Sequence, residues 1–167
     1  MANMIPISTV TVGSGGAATI AFTGIPQIYT DLCVKLSIRT ARAVIYDFIY
    51  INPNGSTANA TTRILQGDGT SASSESTSRL RFISQGNTAT SNSFGTAEIY
   101  IPNYTSSNNK SFSMETVTEN NDTSALRELN AGLWSDTSPI NSLSFVSYSS
   151  SNFNQYTTAT LYGIRKY

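Results

Sequence analysis

Glu98 and Glu115 are the residues of this chain with the strongest claim to acid–base chemistry, because they fall in neighbouring strand-like runs that can bring both carboxyls to one face. Two carboxyl groups held roughly 5–10 Å apart across a sugar are what glycoside hydrolysis requires. The remaining acids are scattered, and paired or solvated surface carboxylates are far commoner than catalytic ones, so a structural role is expected for both. Other chemistries have fewer means. The chain has no His, which removes the commonest general base, the usual imidazole metal ligand and every Ser-His-Asp or Cys-His arrangement. Its single Cys33 lies in the apolar run Leu32-Cys33-Val34 and reads as a buried, inert thiol that has no partner for an internal disulfide. Asp68 and the 119–122 loop offer oxygens for a hard cation, but neither supplies the spaced carboxylates of a dedicated calcium site, and both read as turns. Gly13-Ser14-Gly15-Gly16 has the glycine content of a phosphate loop without the Lys-Ser or Lys-Thr or the helix that must follow. No cofactor is expected.

Stepping outward, the elements that would carry these residues are strands. β-Branched and aromatic residues recur in short alternating runs broken by Gly, Asn, Ser and Pro, over 5–12, 17–22, 32–40, 44–51, 61–65, 80–84, 96–101, 111–118, 126–134, 142–149 and 158–164. Leu126, Leu129 and Leu133 have helical spacing, yet the segment also fits an irregular strand, which is the reading taken. The run 44–51 is apolar at almost every position except Asp47, so it reads as a central strand whose aspartate needs a partner. The longest loop is 67–78, almost all small and polar. With so many short strands and no crossover helices, 1–167 is expected to be a single all-β domain: an antiparallel two-sheet sandwich, jelly-roll-like, with 1–16 as a short N-terminal arm or an extra edge strand.

Charged residues make up 12% of the 167, against about 25% in an ordinary soluble domain. The polar surface is instead hydroxyl and amide, from 25 Ser, 22 Thr and 15 Asn. Ten Lys and Arg balance ten Asp and Glu, and the longest basic run is Arg165-Lys166, so nucleic acid is not an expected partner. No apolar run approaches the roughly 18 residues of a membrane span, and the N-terminus lacks the basic flank and apolar stretch of a secretory signal, so a soluble cytoplasmic product is expected. A net charge of zero removes much of the repulsion that holds free copies apart. Among the aromatics, Trp134 reads as core, whereas Tyr100, Tyr104, Tyr148 and Tyr156 read as interface or ligand residues, since Tyr can bury its ring while its hydroxyl finds a partner. Ile5-Pro6-Ile7 is the candidate contact segment of the N-terminal arm.

Three segments, 86–112, 131–145 and 152–164, together resemble a family of tailed-bacteriophage virion proteins. The resemblance rests on Glu98-Ile99-Tyr100-Ile101-Pro102-Asn103-Tyr104, on Gly132-Leu133-Trp134 followed by a Ser/Thr-rich turn, and on the closing Leu161-Tyr162-Gly163-Ile164. With 51–69 it covers roughly 45–165. It implies a non-enzymatic structural module of the virion, made in the host cytoplasm. The expected role is a capsid decoration, or cement, protein on the outer shell surface, with the major capsid protein and its own copies as partners, most simply as a homotrimer at junctions between capsomers. A tail-fibre or receptor-binding module that holds a host glycan is the alternative.

Overall fold

The computed structural model describes residues 3–121 and 125–165, so Asp122 of the candidate cation loop and Lys166 of the basic pair lie outside the described residues. Twelve strands run in chain order: β1 (Asn3–Thr11), β2 (Ile20–Phe22), β3 (Asp31–Ile38), β4 (Tyr46–Pro53), β5 (Ala60–Gly67), β6 (Ala72–Thr77), β7 (Arg81–Gln85), β8 (Gly95–Ile101), β9 (Lys110–Val117), β10 (Arg127–Trp134), β11 (Leu143–Ser147) and β12 (Thr158–Arg165). Among the described residues there is no helix. The strands form an eight-stranded sheet, in the order β1-β12-β3-β8-β9-β10-β5-β6, and a four-stranded sheet, β2-β11-β4-β7.

All pairings between these twelve strands are antiparallel, and β1·β12, β2·β11, β3·β8 and β4·β7 are successive rungs of one long hairpin that turns between β4 and β7. Successive rungs fall in opposite sheets, and β12·β3 and β11·β4 join them. This is the winding of a jelly roll. Two further hairpins, β5–β6 between β4 and β7 and β9–β10 between β8 and β11, pair with each other through β10·β5 and extend the large sheet beyond β8 as a four-stranded wing. The alternation that makes these strands is clear in β10, where Glu128, Asn130, Gly132 and Trp134 point inward and Arg127, Leu129, Ala131 and Leu133 point outward. Continuous pairing of β10 with both β5 and β9 removes the helical reading of its leucines.

The core lies between the sheets, with Trp134, Phe82, Phe112, Phe145 and Phe153 all fully buried. Phe145 meets Phe22 and Phe82 edge-to-face at 6.4 and 6.3 Å. Gly163 is required by close packing: a Cβ there would lie 2.3 Å from the Tyr29 ring. Asp47, fully buried on central strand β4, has the partners its position demands. Its carboxylate accepts from Thr40 Oγ1 at 2.9 Å, Ser147 Oγ at 2.7 Å, the Phe48 amide at 2.8 Å and Arg42 Nη1 at 3.0 Å.

One expectation needs correction. Residues 67–78 are not one long loop: Ala72–Thr77 forms β6, paired with β5 from Thr62↔Thr77 to Gly67↔Ala72. The segment has no apolar residue larger than Ala72 to announce a strand, so its pairing comes from the turn that Asp68 closes by accepting from the Thr70 and Ser71 amides at 2.9 and 2.7 Å. At the other end, residues 3–11 form the edge strand β1, one of the two readings expected of this segment, paired with β12 from Asn3↔Arg165 to Thr11↔Thr158.

Candidate functional site

The carboxylates come first. Glu98 and Glu115 do stand directly opposite each other on β8 and β9. Each is held by a cation on its far side: Lys35 Nζ lies 3.0 Å from Glu98, and Arg127 pairs with Glu115. The result is a half-exposed cation–carboxylate–carboxylate–cation row across β3, β8, β9 and β10, and the bond to Glu98 raises the Lys35 pKa. Surface pairs of this kind contribute about 0–1 kcal/mol each.

Other acids hold the chain in shape. Asp68 is a turn cap, and four bonds from Thr70 and Ser71 keep its carboxyl well below the usual range. Asp136 accepts from the Ser138 amide at 2.7 Å, and Glu119 from the Asn120 and Asn121 amides at 2.9 and 2.8 Å. Among the described residues no three His, Cys, Asp or Glu side chains gather as metal ligands would.

Sequence reasoning missed a buried ionic knot under the wing. Glu128 on β10 is fully buried and lies 3.4 Å from Arg81 Nη2 on β7. Its second oxygen accepts from Asn130 Nδ2 at 2.9 Å. Arg81 also pairs with Glu75 of β6, and its guanidinium lies 4.1 Å over the Phe48 ring. Burial pushes the Glu128 carboxyl above the usual range. Its signal in the sequence is only a polar residue on the inward phase of an alternating strand.

The expected interface residues are dispersed. Tyr104 is corrected: it is fully buried and its hydroxyl donates to the Pro26 carbonyl, so it belongs to the core. Tyr100 is half-buried, and its hydroxyl donates to Asp31 Oδ2 at 2.6 Å, which with burial pushes its pKa up to about 12. The Asn103 amide donates to the other Asp31 oxygen at 3.0 Å, so the turn after Pro102 is held by one buried aspartate. Pro6, Tyr162, Cys33 and Tyr100 form one cross-strand row, whereas Ile7 packs against the core and Ile5 is half-buried opposite Gly163. Tyr156 is 68% exposed, beside a polar cleft of about 380 Å³ that Asn87, Asn92, Asn154 and Gln155 help to line. Arg39 stiffens that cleft by donating to the carbonyls of Asn87, Ala89, Thr90 and Ser93 at 2.8–3.0 Å.

There are two exposed apolar surfaces, of which the sequence pointed to one, through Tyr148. On the outer face of the wing, Leu65 faces Leu129 across β5·β10, and with Ala131, Arg63, Ser74 and Ser76 they line a trough of about 790 Å³. Leu65, Leu129 and nearby Leu133 are 52%, 49% and 41% exposed, which is unusual for leucines grouped on one sheet face. On the outer face of the small sheet, Phe48 and Tyr50 stack edge-to-face on Tyr148 at 6.3 and 5.8 Å, with Arg42 and Arg79 laid over Tyr148 and Tyr50. The trough also takes in Glu75 and Glu115, which pair with Arg81 and Arg127.

Comparison with known proteins adds little. No family model matches the chain, and no curated protein does. A fructofuranosidase from Schwanniomyces occidentalis, solved with fructosylnystose, is similar at 8% identity and a TM-score of 0.25, with 98% of this chain aligned to 33% of that one. The chain thus spans about a third of that enzyme's length, and a likeness this low carries no argument about activity.

Proposed function

We propose that this chain is a non-enzymatic structural protein of a tailed-phage particle, a decoration protein that docks on the outer surface of the assembled capsid shell. One observation carries the reading. Every carboxylate among the described residues is engaged by a cation, an amide or a hydroxyl of the chain itself, while Leu65 and Leu129 face each other in solvent on the wing and Leu133 lies exposed farther along the same strand. The carboxylates are occupied by partners within the chain, and the leucines have none.

The motifs behind the virion resemblance have structural uses that fit this reading. Tyr100 and Asn103 anchor on Asp31, Trp134 fills the core, and Gly163 admits Tyr29. A jelly roll wound this way presents broad sheet faces, and docking through the leucine trough would bury apolar area at roughly 25 cal/mol per Å². A protein that binds the assembled shell and not its separated subunits stabilises the shell by mass action. With a net charge of zero, that docking would depend weakly on salt.

The alternative, a tail-fibre module that holds a host glycan, is favoured by one feature: the amide-lined cleft beside exposed Tyr156. Copy number per purified virion separates the two. Hundreds of copies, with shell binding weakened by Leu65→Ser/Leu129→Ser, support decoration. A handful of copies, or turnover of a sugar or ester by the pure protein, defeats it.

A further inference from the structure

The two edges of the large sheet are finished differently. At the β1 edge, Pro6 lacks a backbone donor and the register shifts between Pro6 and Ser8. Proline and a bulge are how natural sheets stop another strand from adding on. At the other edge, β6 reads Ala-Ser-Ser-Glu-Ser-Thr, has no proline or lysine, and pairs with β5 without any shift. It is the last strand of its sheet.

The phase of that open edge follows from the turn. The Asp68 amide donates to the Ser71 carbonyl at 3.2 Å, which closes the hairpin with a hydrogen-bonded pair. In an antiparallel ladder such pairs alternate with non-bonded ones. Counting along the register, Ser73, Glu75 and Thr77 bond inward to β5, and Ala72, Ser74 and Ser76 turn their N–H and C=O groups away from it. Three N–H and three C=O groups therefore stand in line on the free side of β6.

We propose that β6 pairs antiparallel with β6 of a second copy of this chain, joining two large sheets across a twofold axis. Only outward-turned residues can bond to each other, so the register must set Ala72, Ser74 and Ser76 against the same set. Ser74 opposite Ser74, with Ala72 opposite Ser76, uses all six groups. Moving by one step in one direction sets Glu75 directly against Glu75, which is destabilising. The step in the other direction loses a bonded pair at the strand ends. In the chosen register Glu75 faces Ser73.

The edge is also held ready for a partner. Glu75 points inward to Arg81, which is fixed by Glu128 and by the Phe48 ring, so β6 is tied to the small sheet as well as to β5. A strand already fixed in its bound shape loses little further freedom on pairing. The zero net charge adds no long-range repulsion between copies. Pairing would also set the two leucine troughs on one continuous face, so a pair offers a shell two contacts at once. This twofold pair takes the place of the three-copy assembly that the family resemblance implies.

Light scattering and sedimentation on the full chain test the proposal without any particle, so they are independent of the docking reading. The expected mass at high concentration is about twice 17.9 kDa. Ser74→Pro removes an outward donor and no bond to β5, and Ser74→Lys sets two ammonium groups face to face on the axis. Both are expected to give monomers with an unchanged β-sheet circular dichroism spectrum. Ser74→Cys places two thiols at a Cα separation of about 5.5 Å, inside the 4.4–6.8 Å range for a disulfide. It is expected to cross-link under mild oxidation, whereas Ala72→Cys, which faces Ser76, is not; Cys33 is buried and stays silent. If Ser74→Pro fails to fold, Ser74→Lys and the cysteine pair decide. A monomer at every concentration overturns the proposal. So does an oligomer that Ser74→Lys leaves intact and Ser74→Cys does not cross-link.

Discussion

Replacing Asp47 by Ala should be among the most damaging single changes available to this fold. The carboxylate is fully buried and joins β4 to β11 through Ser147, to the chain after β3 through Thr40, and to the turn at Arg42. Removing it strips an acceptor from two hydroxyls and one amide, at about 1 kcal/mol each. The charge-assisted bond from Arg42 adds about 1.5–3 kcal/mol, but the Arg42 side chain is 30% exposed and recovers part of that from water. The net loss is about 3–5 kcal/mol, the range for breaking a buried ion pair, from a total stability of order 5–15 kcal/mol. With a urea m-value near 2 kcal/mol/M, the midpoint should fall by about 1.5–2.5 M at constant m. Asp47→Asn keeps the shape and one acceptor oxygen and should lose about half as much. A double-mutant cycle with Ser147→Ala should show a coupling of at least about 0.5 kcal/mol. A midpoint shift for Asp47→Ala below about 0.5 M, or no coupling to Ser147, would refute the claim that this aspartate is the polar centre of the small sheet.

Glu128 gives a pH prediction. Its folded pKa lies above its unfolded value because burial disfavours the anion, so the folded state binds the proton more tightly. Stability should therefore fall as pH rises from the ordinary glutamate range, near 4.3, through the raised folded value. The stability of Glu128→Gln relative to wild type should rise from pH 4 to pH 7, read from urea midpoints; a difference that does not change with pH would contradict the assignment. Cys33, buried and with its pKa pushed up to about 11, should react slowly with a thiol reagent at pH 8 in the folded protein and fast in denaturant. Equal rates in both conditions would show that β3 opens readily.

The sequence was most legible where strands alternate sharply. β9 and β10 bury every second residue, and their spans were read to within a residue or two. β6 was illegible for the opposite reason. Its six residues bury nothing large, so its strand state depends on β5 beside it and the Asp68 turn before it, both of which are tertiary facts. Tyr104 was misplaced because residue type does not say whether a tyrosine hydroxyl will find water or, as here, the Pro26 carbonyl 78 residues away in sequence. The leucine trough was missed because Leu65 and Leu129 are 64 positions apart and look like ordinary core residues until register sets them on the outer face.

The wing raises a question that the apolar core alone does not answer: what fixes β10 between β9 and β5. Where the wing extends past β7 its inner face is polar, with Thr62, Thr116, Glu128 and Asn130 all buried. That cluster is imperfectly satisfied, since Arg81 Nε, Asn130 Oδ1 and Thr116 Oγ1 are buried without a hydrogen-bond partner, so it contributes less stability than an apolar face of the same size would. What it supplies is selectivity. A β10 slipped by two residues would keep the same face inward, but Glu128 would then leave Arg81 and stand in the interior as an uncompensated charge. Glu75 makes the same demand on β6, so one arginine on the small sheet fixes the register of strands from both inserted hairpins. The outer face inherits that register. The same pairing that keeps Glu128 on Arg81 is what holds Leu129 opposite Leu65, and so the buried charges decide where the exposed leucines meet.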